Sequence, residues 1–291
     1  LQGVAKDLKS IRPALVIVPC YNERDNIGNL INEILAQSDD FDILVIDDNS
    51  PDGTAEVVKA LQREHPQVHL MQRSRKLGLG TAYRAGFKFA LDRGYRYIIT
   101  MDADFSHQPC YLPKMLELAA SADLVIGSRY VPGGGTSGWP VHRRFISGFA
   151  NWLARTVLGL SAHDCTAGFR CYRRETLIRV DPDTILSSGY SFLIEMLYKV
   201  ETQHMRVVEL PIIFVDRIAG KSKISRYEIY KALYTLGRLK FPNLPWGRIA
   251  RIGGKYGEPG AVAISIFALL SMVWALVKRK DISDDFDASE R

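Results

Sequence analysis

Residues 97–104 read YIITMDAD, an apolar run that stops at two aspartates flanking Ala103. The run from Tyr97 to Met101 predicts a short buried strand, and Asp102 and Asp104 stand where that strand ends. Working outward, Ala14 to Val18, Ile43 to Asp47, Val68 to Met71 and Leu124 to Gly127 are similar runs, each separated from the next by enough chain for a helix. Such alternation predicts an α/β fold with a mainly parallel, doubly wound sheet. The helix after the first strand is the clearest, because Ile27, Leu30, Ile31, Ile34 and Leu35 repeat at helical spacing. A second is expected from Thr54, after the turn residues Ser50-Pro51-Asp52-Gly53, with Val57, Val58 and Leu61 facing inward. Residues 143–158 and 191–200 also read as helices. Val207 to Val215 reads as one strand, which Pro211 confines to an edge or a bulge.

Parallel strands bring their carboxyl ends to one edge of a sheet, where open α/β folds bind ligands. Three polar clusters fall there: Pro19-Cys20-Tyr21-Asn22-Glu23, Asp47-Asp48-Asn49-Ser50 and Asp102-Ala103-Asp104. Two carboxylates one residue apart suit a hard divalent cation, Mg or Mn, that completes its oxygen shell with substrate phosphates. The plainer alternative is a capped turn into a helix near Tyr111, with His107 and Pro109 as loop punctuation; the neighbouring acidic loops favour the metal. Asp47 and Asp48 point to opposite faces of their strand and are expected to differ in role, one of them serving the turn. Tyr21 and Glu23 suit stacking on a nucleobase and accepting from its amino group or from a ribose, although Tyr21 also suits a core. Arg129, Arg143, Arg144, Arg217, Lys221 and Lys223 are candidates for binding phosphate. A phosphate loop of the GxxxxGK[ST] type is absent, Gly78-Leu79-Gly80 lacks the rest of a dinucleotide fingerprint, and no serine sits in a GxSxG elbow. ATPase, dehydrogenase and serine-hydrolase readings therefore lose their support. His65, His69, His142, His163 and His204 stand in no metal-ligand spacing and read as structural.

Hydrophobic residues make up 47% of the 291 positions and charged residues 24%, a globular mixture that excludes a disordered, collagen-like or polytopic membrane protein. The net charge of +6 points to an anionic partner, and it is concentrated: ten bases and two acids lie between Asp216 and Tyr256. Cys20, Cys110, Cys165 and Cys171 form no CxxC pair, so neither a zinc site nor a disulfide framework is expected. The stretch 225–241 mixes Ile229, Leu233, Leu236 and Leu239 with Arg226, Lys231, Arg238 and Lys240, which suits a helix at an anionic membrane surface or an amphipathic helix packed on a domain. Nucleic-acid binding has little support, since these bases lack a reader motif. Residues 261–277, AVAISIFALLSMVWALV, form an uncharged run of 17 followed by Lys278-Arg279-Lys280, read as a membrane anchor in preference to a buried helix.

Eight stretches occur in order: VPCYNERDNI (18–27), VIDDNSPDGT (45–54), LGLGTAYRAGF (77–87), MDADFSHQP (101–109), GSRYVPGG (127–134), RRFISGFAN (143–151), DCTAGFRCYRR (164–174) and DRIAGKSKI (216–224). Together they resemble the dolichyl-phosphate mannosyltransferases of glycosyltransferase family 2, over about residues 14–225. The resemblance implies a GT-A fold and assigns Pro19, Tyr21, Glu23, Ile46 and Asp48 to the nucleotide. It assigns Asp102, Ala103 and Asp104 to the diphosphate and its metal. Arg129, Arg143 and Ser147 match positions at the acceptor phosphate and donor diphosphate, and Arg217 and Lys223 match a loop that closes over the donor. Cys20 stands where the family commonly has Thr. Ser106 stands where some members have a metal-ligating Gln, which makes it the candidate third ligand. The QxxRW motif of processive synthases is absent, favouring a single transfer.

The expected organisation is an extension at 1–13, a catalytic domain at 14–224, a basic interface segment at 225–259, an anchoring helix at 260–278 and a polar tail at 279–291. The implied reaction is inverting transfer of mannose from GDP-mannose to a polyprenyl (dolichyl) phosphate, with Asp104, Arg129 and Arg143 as the catalytic groups. A phosphate acceptor is already anionic and needs no general base. The implied partners include membrane lipids. The expected location is the cytoplasmic face of the endoplasmic reticulum membrane in a eukaryote, or of the cell membrane in a prokaryote. Rival readings are a UDP-sugar donor on the same fold and a non-catalytic nucleotide-sugar-binding membrane subunit.

Overall fold

The computed structural model describes residues 13–216, 226–244 and 246. The first unit of the fold is built on a seven-stranded sheet. Its strands are β1 (Ala14–Cys20), β2 (Phe41–Asp47), β3 (Val68–Gln72), β4 (Tyr97–Thr100), β5 (Leu124–Ser128), β7 (Arg170–Arg173) and β8 (Val207–Pro211), in the spatial order β3-β2-β1-β4-β7-β5-β8. A parallel pair, β6 (Gly135–Ser137) and β9 (Ile213–Val215), lies apart from it. Every pairing in the large sheet is parallel except those of β7, which runs antiparallel between β4 and β5.

Residues of β1, β2, β4 and β5 are almost all buried, as strands covered on both faces must be, and this explains why they read as continuous apolar runs. Helix α1 (Arg24–Leu35) buries Ile27, Leu30, Ile31 and Ile34. In α2 (Thr54–Glu64), Thr54, Ala55 and Val58 are buried, and Val57 and Leu61, expected to face inward, pack half-buried against the core. Helix α3 (Leu79–Arg93) crosses the sheet closely: a methyl group on Gly86 would meet Ile17 at 2.8 Å and Ile46 at 3.1 Å. The remaining α-helices of this unit are α4 (Leu112–Ala119), α5 (Val141–Leu158, of which 141–155 belong to this unit), α6 (Arg174–Val180) and α7 (Tyr190–Thr202).

Two expectations change. The segment 207–215 is not one strand: Ile212 breaks it, so β8 forms the edge of the large sheet and β9 pairs with β6. Strand β7 was hidden because two of its four residues are arginines. Arg170 is nevertheless wholly buried, and it donates to the carbonyls of Ala167, Leu193 and Cys165 at 2.8 Å each. An acceptor at every nitrogen lets a guanidinium sit where an apolar side chain is expected.

The second unit, among described residues, comprises 156–159 and the chain from α8 (Arg226–Lys240) onward. After α8, Trp246 donates its indole N–H to the Phe241 carbonyl at 2.7 Å and packs edge-on against Tyr234. Among the described residues no helix is long and apolar enough to cross a membrane. The apolar run 261–277 lies outside the described residues, as do Arg217, Lys221 and Lys223.

Candidate active site

The loops after β1 and β2 are tied together at the carboxyl edge. Asp48 N donates to the Cys20 carbonyl at 3.2 Å and Asn22 N to Ser50 Oγ at 2.9 Å. Asn22 and Asn49 each adopt φ of 61°, the left-handed region that asparagine tolerates best among residues with a side chain. Tyr21 is exposed at 37%, with the Lys76 ammonium 4.1 Å from its ring centroid, so its face lies open rather than in the core. Glu23 precedes α1, receives Asn26 Nδ2 at 2.8 Å, and donates its N–H to Thr54 Oγ1 at 3.0 Å.

The two adjacent aspartates differ in partners, as their alternation predicts. Asp47 is wholly buried and closes the turn, accepting from Ser50 N at 3.1 Å and Ser50 Oγ at 2.5 Å. Asp48 pairs with Arg73 and accepts from Leu77 N at 3.3 Å. Arg73 escaped the sequence reading because RSRK at 73–76 resembles an ordinary solvated charge run. Pro19 and Ile46 are register partners. The Ile46 side chain is buried toward α3, so only its main chain could reach a nucleotide.

Asp102, Ala103 and Asp104 follow β4. Asp104 is 7% exposed, and its Oδ1 accepts from Ser106 N at 3.1 Å and from Ser106 Oγ at 2.5 Å. The expected third ligand, Ser106, is thus buried as a hydrogen-bond donor to Asp104. Phe105 between them takes φ of 59°, which folds the loop back. The Asp102 side chain is 34% exposed, and its N–H donates to His107 Nδ1 at 3.0 Å. That bond fixes the tautomer with the proton on Nε2. Burial holds the His107 pKa below its ordinary value, against the pull of the Asp102 and Asp104 carboxylates. His107 is therefore a neutral support packed on Phe169, not loop punctuation.

No group of three or more His, Cys, Asp or Glu side chains able to hold a metal occurs among the described residues. Two carboxylates of hard oxygen fit a Mg or Mn ion that draws its other ligands from a diphosphate and water. Asp102 and Asp104 are the side chains that would hold it.

Beyond β5 lies a basic, aromatic corner. Arg129 forks onto Asp164, Nε to Oδ2 at 2.7 Å and Nη2 to Oδ1 at 2.6 Å, with Thr166 Oγ1 at 2.9 Å from Nη2. Its Nη1 group stays outside the fork. Burial alone would discharge both residues; their mutual attraction overrides it, holding Asp164 below and Arg129 above the ordinary values. Arg143, in the first turn of α5, donates to Asp216 at 2.7 Å and lies 4.0 Å over the Trp139 ring, which Arg129 also approaches at 5.5 Å. Tyr130 Oη, Trp139 Nε1 and Arg143 Nε are buried there with no hydrogen-bond acceptor among the described residues. Ser147 follows Arg143 by one turn, and Asn151, a turn later, is buried and accepts from Cys165 N at 2.8 Å.

The sheet order arranges these groups in sequence along one edge: Tyr21 and Asp48 at β1 and β2, Asp102 and Asp104 at β4, and Arg129 and Arg143 past β5. Asp164, Thr166, Trp139 and Asn151 complete the last group and were not singled out from sequence. Asp164 sat inside the quoted stretch 164–174 without a marked role, since a lone buried aspartate shows itself only through its partner 35 residues away.

The family model for glycosyl transferase family 2 matches residues 15–180. An undecaprenyl-phosphate mannosyltransferase of Micrococcus luteus is 43% identical over 240 residues, 82% of this chain and 96% of its own length. A polyprenol monophosphomannose synthase of Mycolicibacterium smegmatis is 44% identical over 238 residues, 80% of this chain and 90% of its own. Among solved structures, glucosyl-3-phosphoglycerate synthase from Mycobacterium tuberculosis, with Mn2+, UDP and glucosyl-3-phosphoglycerate, superposes with a TM-score of 0.56 at 18% identity, covering 82% of each chain. A mannosyltransferase from Pyrobaculum calidifontis, with GDP-Man and Mn2+, gives 0.50 at 17% identity, covering 97% of this chain and 86% of its own. These likenesses establish the GT-A fold, and with the family match and the close relatives they make this chain a member of glycosyltransferase family 2 and an enzyme of sugar transfer.

Proposed function

We propose that the enzyme transfers mannose from GDP-mannose to a polyprenyl phosphate, inverting the anomeric carbon, at a membrane surface. The observation that carries this reading is helix α5, which joins an anion-binding face to a greasy one. Arg143, Ser147, Asn151 and Ala154 recur at helical spacing and are half-buried or buried, and Arg143 and Asn151 reach the basic corner through Trp139 and Thr166. On the opposite side Val141, Phe145, Phe149 and Trp152 repeat the same spacing and are 50–74% exposed. A monomeric surface seldom shows four large apolar residues in a row, and such a stripe marks contact with lipid or another apolar partner. A lipid phosphate needs both faces. The names of the two close relatives support the same acceptor class.

In this reading the nucleobase stacks on Tyr21, while Glu23 and Asp48 accept hydrogen bonds from the base or ribose. Asp102 and Asp104 would hold a divalent cation, which would supply positive charge against the negative charge that grows on departing GDP. A solved protein of this fold carrying GDP-Man with Mn2+ supports the donor. Arg129 through Nη1, Arg143 and Ser147 receive the acceptor phosphate and hold it in line with the anomeric carbon. Alignment is the main task left to the protein, because the phosphate attacks as an anion. Arg217 and Lys223 serve the donor and residues 260–278 serve membrane attachment, and the active site faces the cytoplasm, where GDP-mannose is available.

The test is purified full-length protein with radiolabelled GDP-mannose, MnCl2 and a polyprenyl phosphate, followed by solvent extraction. A lipid-soluble, mild-acid-labile product is expected. Label moving from UDP-glucose instead would overturn the donor, and a chain that binds GDP yet transfers from no sugar nucleotide would overturn catalysis.

A further inference from the structure

Tyr83 lies in α3 at 0% exposure, yet its hydroxyl has no hydrogen-bond partner among the described residues. Its ring is fixed by Phe87 and Phe192, with centroids 6.1 and 6.2 Å away, so a phenylalanine would pack equally well. A buried hydroxyl left unsatisfied is destabilising, which calls for a compensating use. The neighbourhood supplies one. A methyl group built on Gly168 would lie 3.3 Å from Tyr83 Oη, 3.6 Å from Asp102 Oδ1 and 3.7 Å from His107 Cε1. The phenol and the carboxylate thus border a single small gap, kept open because position 168 has no side chain. The Gly168 carbonyl is fixed by Thr100 Oγ1 at 2.6 Å, so the gap is a built feature of the β4 and β7 edge.

The two oxygens of Asp102 have different surroundings. Oδ2 is 3.8 Å from His107 Nδ1, while Oδ1 faces the gap shared with Tyr83. We propose that Tyr83 is a positioning residue for the cation: its hydroxyl donates to Asp102 when that carboxylate turns to bind metal, and so fixes which oxygen faces the ion. Burial, with the charge of Asp102 added, keeps the Tyr83 pKa well above the ordinary phenol value, so the group is always a donor. Partners of this kind behind a metal-binding carboxylate raise affinity about 10- to 100-fold. The inference rests on Asp102 and Asp104 being the metal ligands, and its test separates the two claims.

Mn2+ binding to the full chain with GDP present is read by electron paramagnetic resonance of the free ion, for wild type, Tyr83→Phe, Gly168→Ala and Asp104→Ala. Tyr83→Phe is expected to weaken Mn2+ binding about tenfold, with the metal-free Tm unchanged or raised and GDP binding in EDTA unchanged. Gly168→Ala fills the gap while keeping both polar groups, and is expected to weaken Mn2+ binding in the same way. It also keeps the test open if Tyr83→Phe does not fold. Wild-type Mn2+ affinity in either folded variant, alongside its loss in Asp104→Ala, overturns the role of Tyr83 alone. Wild-type affinity in Asp104→Ala as well overturns the metal site itself.

Discussion

Arg129 and Asp164 form a bidentate ion pair at 2.7 and 2.6 Å, with Asp164 wholly buried. The pair fixes the guanidinium plane and leaves Nη1 outside the fork, so one end of Arg129 is held while the other can meet an anion. Removing one partner of such a pair strands the other charge in a low-dielectric site, which costs about 3–5 kcal/mol. Asp164→Asn is therefore expected to lower unfolding free energy by about that amount at neutral pH, read by urea denaturation. The pH dependence follows from the depressed pKa of Asp164 in the folded protein. Its stabilisation is complete above the unfolded value of 3.8 and is lost as pH falls through the lower folded value. The gap between wild type and Asp164→Asn should stay constant above about pH 5 and narrow only below about pH 4. A gap that closes between pH 6 and 8 would assign the effect to another group.

Asp104 is held by two donors from Ser106, which separates the loss of the carboxylate from the loss of its orientation. Asp104→Ala is expected to reduce sugar transfer by at least about 10²-fold while the far-UV circular dichroism stays native. Chelation of the wild type should match it and be reversed by added Mn2+. Ser106→Ala removes the hydroxyl donor but keeps the backbone one, so a milder effect is expected: Mn2+ affinity down about tenfold, with transfer restored at saturating metal. Near-normal turnover of Asp104→Ala in metal-free buffer would contradict the assignment.

The Tyr21 ring is exposed and carries the Lys76 ammonium on one face. Stacking a base on an aromatic ring contributes about 1–3 kcal/mol, so Tyr21→Ala should raise the Kd for GDP about 10-fold or more. Tyr21→Phe should leave it near the wild-type value, since only the ring is used. Calorimetric titration with GDP distinguishes the two; equal losses in both variants would point to the hydroxyl instead.

The strands and the acidic loops were legible because each signal is local. A strand buried on both faces has little choice but Val, Ile, Leu or Phe, and β1, β2, β4 and β5 show it. What stayed hidden depends on distant partners. Arg170 made β7 look like surface until three carbonyls from elsewhere in the fold accounted for its donors. Tyr83 reads as one more aromatic on a helix face, and only the space beside Gly168 shows that its oxygen and Asp102 Oδ1 border one gap. His107 reads as a turn residue because its partner is a backbone N–H, to which sequence gives no clue.

The outward face of α5 offers the most direct check on how the enzyme meets a lipid substrate. Phe145 is 74%, Phe149 50% and Trp152 56% exposed, and the rings of the last two lie 5.6 Å apart. Each is at least half exposed, so replacing the three with serine should leave the Tm within a few degrees of the wild type. Each buried apolar side chain contributes roughly 1.5–3 kcal/mol when it leaves water. Insertion of even part of this face into a bilayer would therefore be felt in vesicle sedimentation. The triple variant Phe145→Ser, Phe149→Ser, Trp152→Ser is expected to lower vesicle binding more than about tenfold and to raise the KM for a long-chain polyprenyl phosphate. Turnover on a short-chain acceptor in detergent should survive, because Arg143, Ser147 and Asn151 on the opposite face are untouched. Unchanged vesicle binding and an unchanged KM would remove α5 as the lipid-facing element.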